Sequence, residues 1–205
     1  MPLVKRLSLL TLSLALAVAM LVIGAFVWSG IYDIGADDAH TRPVHTLLQT
    51  LRDRSITVRA SRLHPPPNLN DAVRIRQGAG NYEAMCTRCH LAPGMRDTEL
   101  SRGLYPSPPA FALAEVGNPS HHFWVIKHGI KASGMPAWGK SMSDEYIWNL
   151  VAFLHKLPEL NAEQYQALVA SSAGHSHGGG ESDPASHPAP VSTKADNGHE
   201  HEHEH

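Results

Sequence analysis

The only two cysteines of the chain stand in CTRCH, residues 86–90: two thiols separated by two residues, with an imidazole beside the second. Several chemistries use such a pair. A disulfide at that spacing would close too small a loop to restrict the unfolded chain much. A structural zinc ion takes about four protein ligands, commonly from two such knuckles, and only one is present. A dithiol redox centre shares the spacing but belongs beside a βαβ pattern, which the sequence does not show. The remaining chemistry is covalent haem. Two thiols add across the two vinyl groups of one macrocycle, and the adjoining histidine offers its ring nitrogen to the iron. The five residues alone do not decide, so the elements that position them carry weight.

Upstream, Asp71 to Met85 reads as a helix that brings Gly78, Tyr82 and Cys86 onto one face at intervals of four residues. Downstream, Ser143 can cap a second helix reaching about Lys156, with Asp144 and Glu145 in its first turn and Ile147, Leu150, Val151 and Leu154 as its apolar stripe. A bare Gly78 would let the two helices cross closely. Between them, Asn118 and Pro119 open and Gly129 closes a helix that carries His121, His122 and His128. Residues 93–119 hold Pro93, Pro106, Pro108, Pro109 and Pro119, which predicts a meander packed by Leu104, Tyr105 and Phe111 rather than regular helix. Asn161 and Gln164 make a capping-box-like start for a last short helix.

With GAGNYEAMCTRCH at the front, GMPAWG in the middle and NLVAFLHKL at the end, residues 71–157 resemble a class I cytochrome c. The longer stretches GLYPSPPAF and FWVIKHGIKASGMPAWG are similar to those of membrane-anchored bacterial monohaem cytochromes of that class. The resemblance implies an all-α, cytochrome c-like helical domain around one covalently attached haem c (heme c). It makes Cys86 and Cys89 the thioether links, His90 the proximal iron ligand and Met135 the distal one, a soft thioether that raises the reduction potential. Met95 and Met142 fit that pattern less well, and Met85 reads as a helix-face residue. One of His121, His122 and His128 could instead complete a bis-histidine iron, although all three, like His155, read as surface or rim residues. By the same resemblance Pro93 offers its carbonyl to the ring N–H of His90. Trp124 and Trp138 could donate to a haem propionate, though core packing explains each nearly as well. An iron with both axial positions filled leaves electron gain and loss as its reaction, so an electron-transfer protein rather than an enzyme is expected, by itself or as the haem subunit of a larger oxidoreductase complex.

The rest of the chain places this domain. After Lys5 and Arg6, residues Leu7 to Trp28 carry no charge and are long enough to cross a bilayer of ~30 Å as a helix. Ala15-Leu16-Ala17 offers a signal-peptide alternative, but the apolar run continues well past it, which favours an uncleaved anchor. Basic residues before the span and Asp33, Asp37 and Asp38 after it put the N-terminus in the cytoplasm. The expected location is therefore the inner membrane, single-pass, with the cytochrome domain in the periplasm. Residues 31–70 read as a juxtamembrane segment, with a basic amphipathic helix from about Val44 to Arg59 that serves as a spacer or lies on lipid head groups or a membrane partner.

The expected organisation is an anchor at 1–30, the juxtamembrane segment at 31–70, the cytochrome domain with a helical extension at 71–170, and a His-rich tail at 171–205. The tail is too poor in large apolar residues to bury a core and is expected to be disordered. His199, His201, His203 and His205 alternate there with glutamates, and together with His175, His177 and His187 they could hold a divalent metal such as copper, nickel or zinc. A tag-like or solubilising tail explains the same composition. Over residues 71–170 Lys and Arg balance Asp and Glu, so no charged docking face and no nucleic-acid footprint is indicated. The implied partners are redox proteins at the membrane: a respiratory complex, a terminal oxidase or a periplasmic dehydrogenase. The alternative function is a metal-handling accessory cytochrome that collects ions on the tail.

Overall fold

The computed structural model describes residues 2–114 and 117–176. Its regular structure is helical: α1 (Pro2–Ser29), α2 (Arg42–Ala60), α3 (Ala72–Met85), α4 (Thr87–His90), α5 (Glu99–Gly103), α6 (Pro119–His128), α7 (Asp144–Lys156) and α8 (Ala162–Ala170). Within α1, Ser8–Ser29 is long and apolar enough to cross a membrane, and none of it is buried against the rest of the protein.

The core is the crossing of α3 and α7. Helix α3 starts where Asp71 accepts a hydrogen bond from the Val73 N–H, which satisfies one of the donors a helix start leaves free. At Gly78 the helices approach so closely that a Cβ would collide with the Asn149 carbonyl and stand 2.7 Å from Cβ of Phe153. The missing side chain therefore sets the distance between them. Around this point Tyr82, Leu150, Val151, Phe153 and Leu154 are buried, with the Tyr82 and Phe153 rings 5.2 Å apart. Each such side chain contributes roughly 1.5–3 kcal/mol over its exposed state. Helix α7 starts after Ser143 as expected, but that hydroxyl makes no capping bond. Asp144 instead faces the N-terminal dipole and pairs with Lys127 of α6 at 2.6 Å.

Helix α6 is capped by Asn118, whose side chain accepts from the N–H groups of Ser120 (2.9 Å) and His121 (3.3 Å). Its Phe123 stacks on Trp148 of α7 at 4.2 Å. The segment expected as a bare meander holds local helix: α5, opened by a Thr98/Ser101 capping box, and a 3₁₀ turn at Phe111–Leu113. The five residues Glu99–Gly103 hold no proline, enough for one turn whose start side chains can satisfy.

Two flanking pieces pack onto this centre. Helix α2 buries Ile56 and Ala60 and lies against α6, so one of its faces serves the protein interior. On the other side, α8 begins with the reciprocal Asn161–Gln164 box and buries Tyr165, whose hydroxyl donates to Glu83 of α3 at 2.5 Å. The chain then doubles back along α3, where the Ser176 N–H donates to Asn81 at 2.9 Å.

Candidate functional site

One cavity of about 680 Å³ opens between α2, α3, α6 and the proline-rich loop. That volume falls in the range of roughly 300–1,000 Å³ usual for small-molecule and cofactor sites. Cys86, Cys89, His90 and Met135 all line it, so residues forty-five positions apart in sequence meet at one space.

The CTRCH end of the site is built by a change of direction. Helix α3 stops at Cys86, and a single helical turn, α4, carries Cys89 and His90. Leu91 then adopts φ 61°, a left-handed conformation costly for a residue with a side chain. Two bonds over-determine it: the Leu91 N–H donates to the Thr87 carbonyl at 3.0 Å, and the buried Tyr82 hydroxyl donates to the Leu91 carbonyl at 2.7 Å. Tyr82, one turn before Cys86, thus ties the far end of the motif to α3. Burial raises its hydroxyl pKa, helped by the nearby Cys86 and Glu83, so it stays a donor.

Neither cysteine is paired in a disulfide. Burial, and secondarily the proximity of Cys89, pushes the Cys86 thiol up to about 12. His90 Nδ1 lies 2.9 Å from the Pro109 carbonyl, a contact that fixes the ring with Nε2 as its free nitrogen. The acceptor is therefore Pro109 and not Pro93, because α4 turns the ring away from its near neighbours toward the returning loop. Burial lowers the His90 pKa and the Pro109 bond partly opposes that, which keeps the imidazole a neutral donor of its lone pair. Phe111 lies beside the ring at 4.8 Å.

Met135 is half-buried and lines the same cavity from the segment after α6. The turn is closed by a bond from the Ile130 N–H to the Met135 carbonyl at 3.1 Å, and the Met135 N–H donates to Ser133 at 3.2 Å. Gly129, at φ +64°, packs so tightly here that a Cβ would stand 2.7 Å from the Met135 carbonyl oxygen. The other methionines divide cleanly. Met142 is buried core, Met95 is 42% exposed, and Met85 lines the cavity directly before Cys86.

The remaining sequence candidates separate by position. Trp138 lines the cavity, whereas Trp124 does not and lies against His128 at 4.9 Å. His121 and His122 reach the cavity and the exposed His128 does not. His155 is not a surface residue: its Nε2 is buried without a partner, and its ring meets that of His122 at 5.5 Å, because α6 crosses over that side of α7. Burial first, then the neighbouring His155 and His121, lowers the His122 pKa to about 4. His199, His201, His203 and His205, with His177 and His187, lie outside the described residues. Among the described residues no cluster of three or more His, Cys, Asp or Glu is arranged to hold a metal ion.

Sequence reasoning found the α2 helix but missed its place at the site. Gln49, Arg52 and Ile56 line the cavity from a helix that reads as a spacer in sequence. Their spacing of three and four residues was the available signal.

The donor set fits a haem: two thiols, a neutral imidazole fixed from behind, and a thioether, all facing one mostly apolar cavity. Compared with known families, residues 73–154 match the one described as cytochrome C oxidase, cbb3-type, subunit III. No curated protein and no solved structure matches the chain.

Proposed function

We infer that this protein is a one-electron carrier, tethered to the inner membrane by α1 with its haem domain in the periplasm; the match of residues 73–154 to the cbb3-type oxidase subunit III family supports this reading. Membership in the family implies covalent haem c and electron transfer. The observation that carries the finer reading is the convergence of Cys86, Cys89, His90 and Met135 on one cavity.

In this reading Cys86 and Cys89 would hold the haem by thioether bonds, and His90 and Met135 would donate to its iron. Bound there, the haem supplies a ferric–ferrous couple that takes up and releases one electron. The chain does the rest. Pro109 holds the His90 ring so that the ligand need not rotate between oxidation states. Tyr82 pins Leu91, and through it the motif, to α3. Phe111, Ile126, Leu150 and Leu154 keep water from the cavity and lower the local dielectric, which sets the potential together with the sulfur ligand. With His90 and Met135 both donating to the iron, the site would serve electron transfer rather than substrate binding. Helix α1 would keep donor and acceptor at one bilayer, and the family points to a respiratory complex as partner.

The test is chemical. Full-length protein made with a cytochrome c maturation system should retain its haem through acidified-acetone extraction, and a Cys86→Ala, Cys89→Ala variant should lose it. Met135→Ala should keep the haem but lose the weak far-red charge-transfer band of sulfur-ligated ferric iron. A wild-type haem that extracts freely, or a band that survives Met135→Ala, overturns the reading.

A further inference from the structure

We propose that α2, which lies outside the segment matching the family, roofs the haem cavity, and that Arg52 on its inner face binds the carboxylates of the macrocycle. The inference rests on the haem reading above.

A haem is apolar except for two carboxylates on one edge. Carboxylates at the rim of a low-dielectric cavity require cations or hydrogen-bond donors. Among the described residues, Arg52 and Lys131 are the guanidinium and ammonium groups that line this cavity. Lys131 is exposed, on a flexible stem, next to Ala132 at φ 54°. Arg52 is better placed to hold a carboxylate: its side chain is 34% exposed and its planar fork matches carboxylate geometry. Its Nε pairs at 2.9 Å with Asp53, a carboxylate that also lines the cavity, and the terminal nitrogens remain as donors for a second carboxylate.

The helix that carries it is arranged as a roof. His45, Gln49, Arg52 and Ile56 recur at three- and four-residue intervals on one face, and all line the cavity. The far end is fastened, with Ile56 at 9% and Ala60 at 1% exposure against α6. The near half spans the opening, so that Leu48, which also lines the cavity, remains 47% exposed beside it. The segment before α2 is tied down as well, since the His40 N–H donates to the Tyr105 hydroxyl at 3.2 Å. A flat amphiphile in the cavity would cover the inner face of α2 and meet Arg52 with its polar edge.

The experiment uses the full-length holoprotein and reads the reduction potential, with haem content measured alongside. Removing a cation beside the haem favours the ferric state, so Arg52→Gln should lower the potential. The expected shift is about a five- to tenfold change in the ferric-to-ferrous ratio at fixed electrode potential, where tenfold corresponds to ~59 mV for one electron. Arg54→Gln removes the same charge from an exposed position off the cavity and should shift it far less. A shift for Arg52→Gln no larger than that for Arg54→Gln, with haem content intact, overturns the proposal. Should Arg52→Gln not accumulate, Arg52→Met removes the same charge while keeping an apolar stem on α2; it must shift the potential beyond Arg54→Gln, or the proposal fails. Wild-type protein without covalent haem would instead sink the functional reading, a separate result.

Discussion

Replacing Gly78 by alanine should unfold this protein at a markedly lower temperature, although alanine is the better helix former. A Cβ there would stand 2.7 Å from Cβ of Phe153 and from the carbonyl carbon of Asn149, against the ~3.5–4.0 Å of ordinary carbon contacts. Backbone cannot swing aside as a side-chain tip can, so α3 and α7 must separate by about 1 Å, and the packing of Tyr82 on Phe153 loosens with them. Overpacking of this kind costs about 1–3 kcal/mol, with the upper end expected for a backbone clash. The gain from removing a helical glycine returns about 0.5–1 kcal/mol. A net loss near 2 kcal/mol corresponds to a fall of about 8–16 °C in Tm for a domain of this size. Thermal unfolding of the full-length holoprotein in detergent measures it, with Gly103→Ala as the matched control, because a Cβ at Gly103 would meet nothing within 4 Å. If both variants melt together, Gly78 does not set the helix distance and the account of the core is wrong.

Two further outcomes follow from the site. His122, lowered to about 4 in the folded protein by burial and by His155 and His121, takes up its proton more readily when unfolded. Its stabilising contribution is therefore complete above about pH 6.5 and is lost as pH falls toward 4, by about 1–3 kcal/mol after allowance for its partial exposure. Urea midpoints at pH 7 and 4.5 should differ less for His122→Asn than for wild type, and parallel profiles would refute this. Tyr82→Phe removes the donor to the Leu91 carbonyl inside the core, at about 1–3 kcal/mol. Hydrogen exchange should then rise at residues 87–91 more than in α8, whereas a uniform rise would mean that the bond does not hold the motif.

Helix starts, and the chemistry that depends on chain neighbours, can be read from the residues alone. Asp71, Asn118 and Asn161 cap the helices they precede, Gly78 marks the crossing, and Cys86, Cys89 and His90 form a unit because one helical turn suffices to bring them together. Short-range signals of this kind survive in sequence because propensity, capping and spacing act within a few residues. Tertiary structure alone decided which distant groups meet. The acceptor for His90 is Pro109 and not the nearer Pro93, His155 turns inward to His122, and the proline-rich loop finds room for α5. Likewise α2 presents Arg52 to the cavity, although its composition is equally that of a solvated spacer. Such choices turn on burial and on the path of the returning chain, and neither is recorded in the residues on either side of the group concerned.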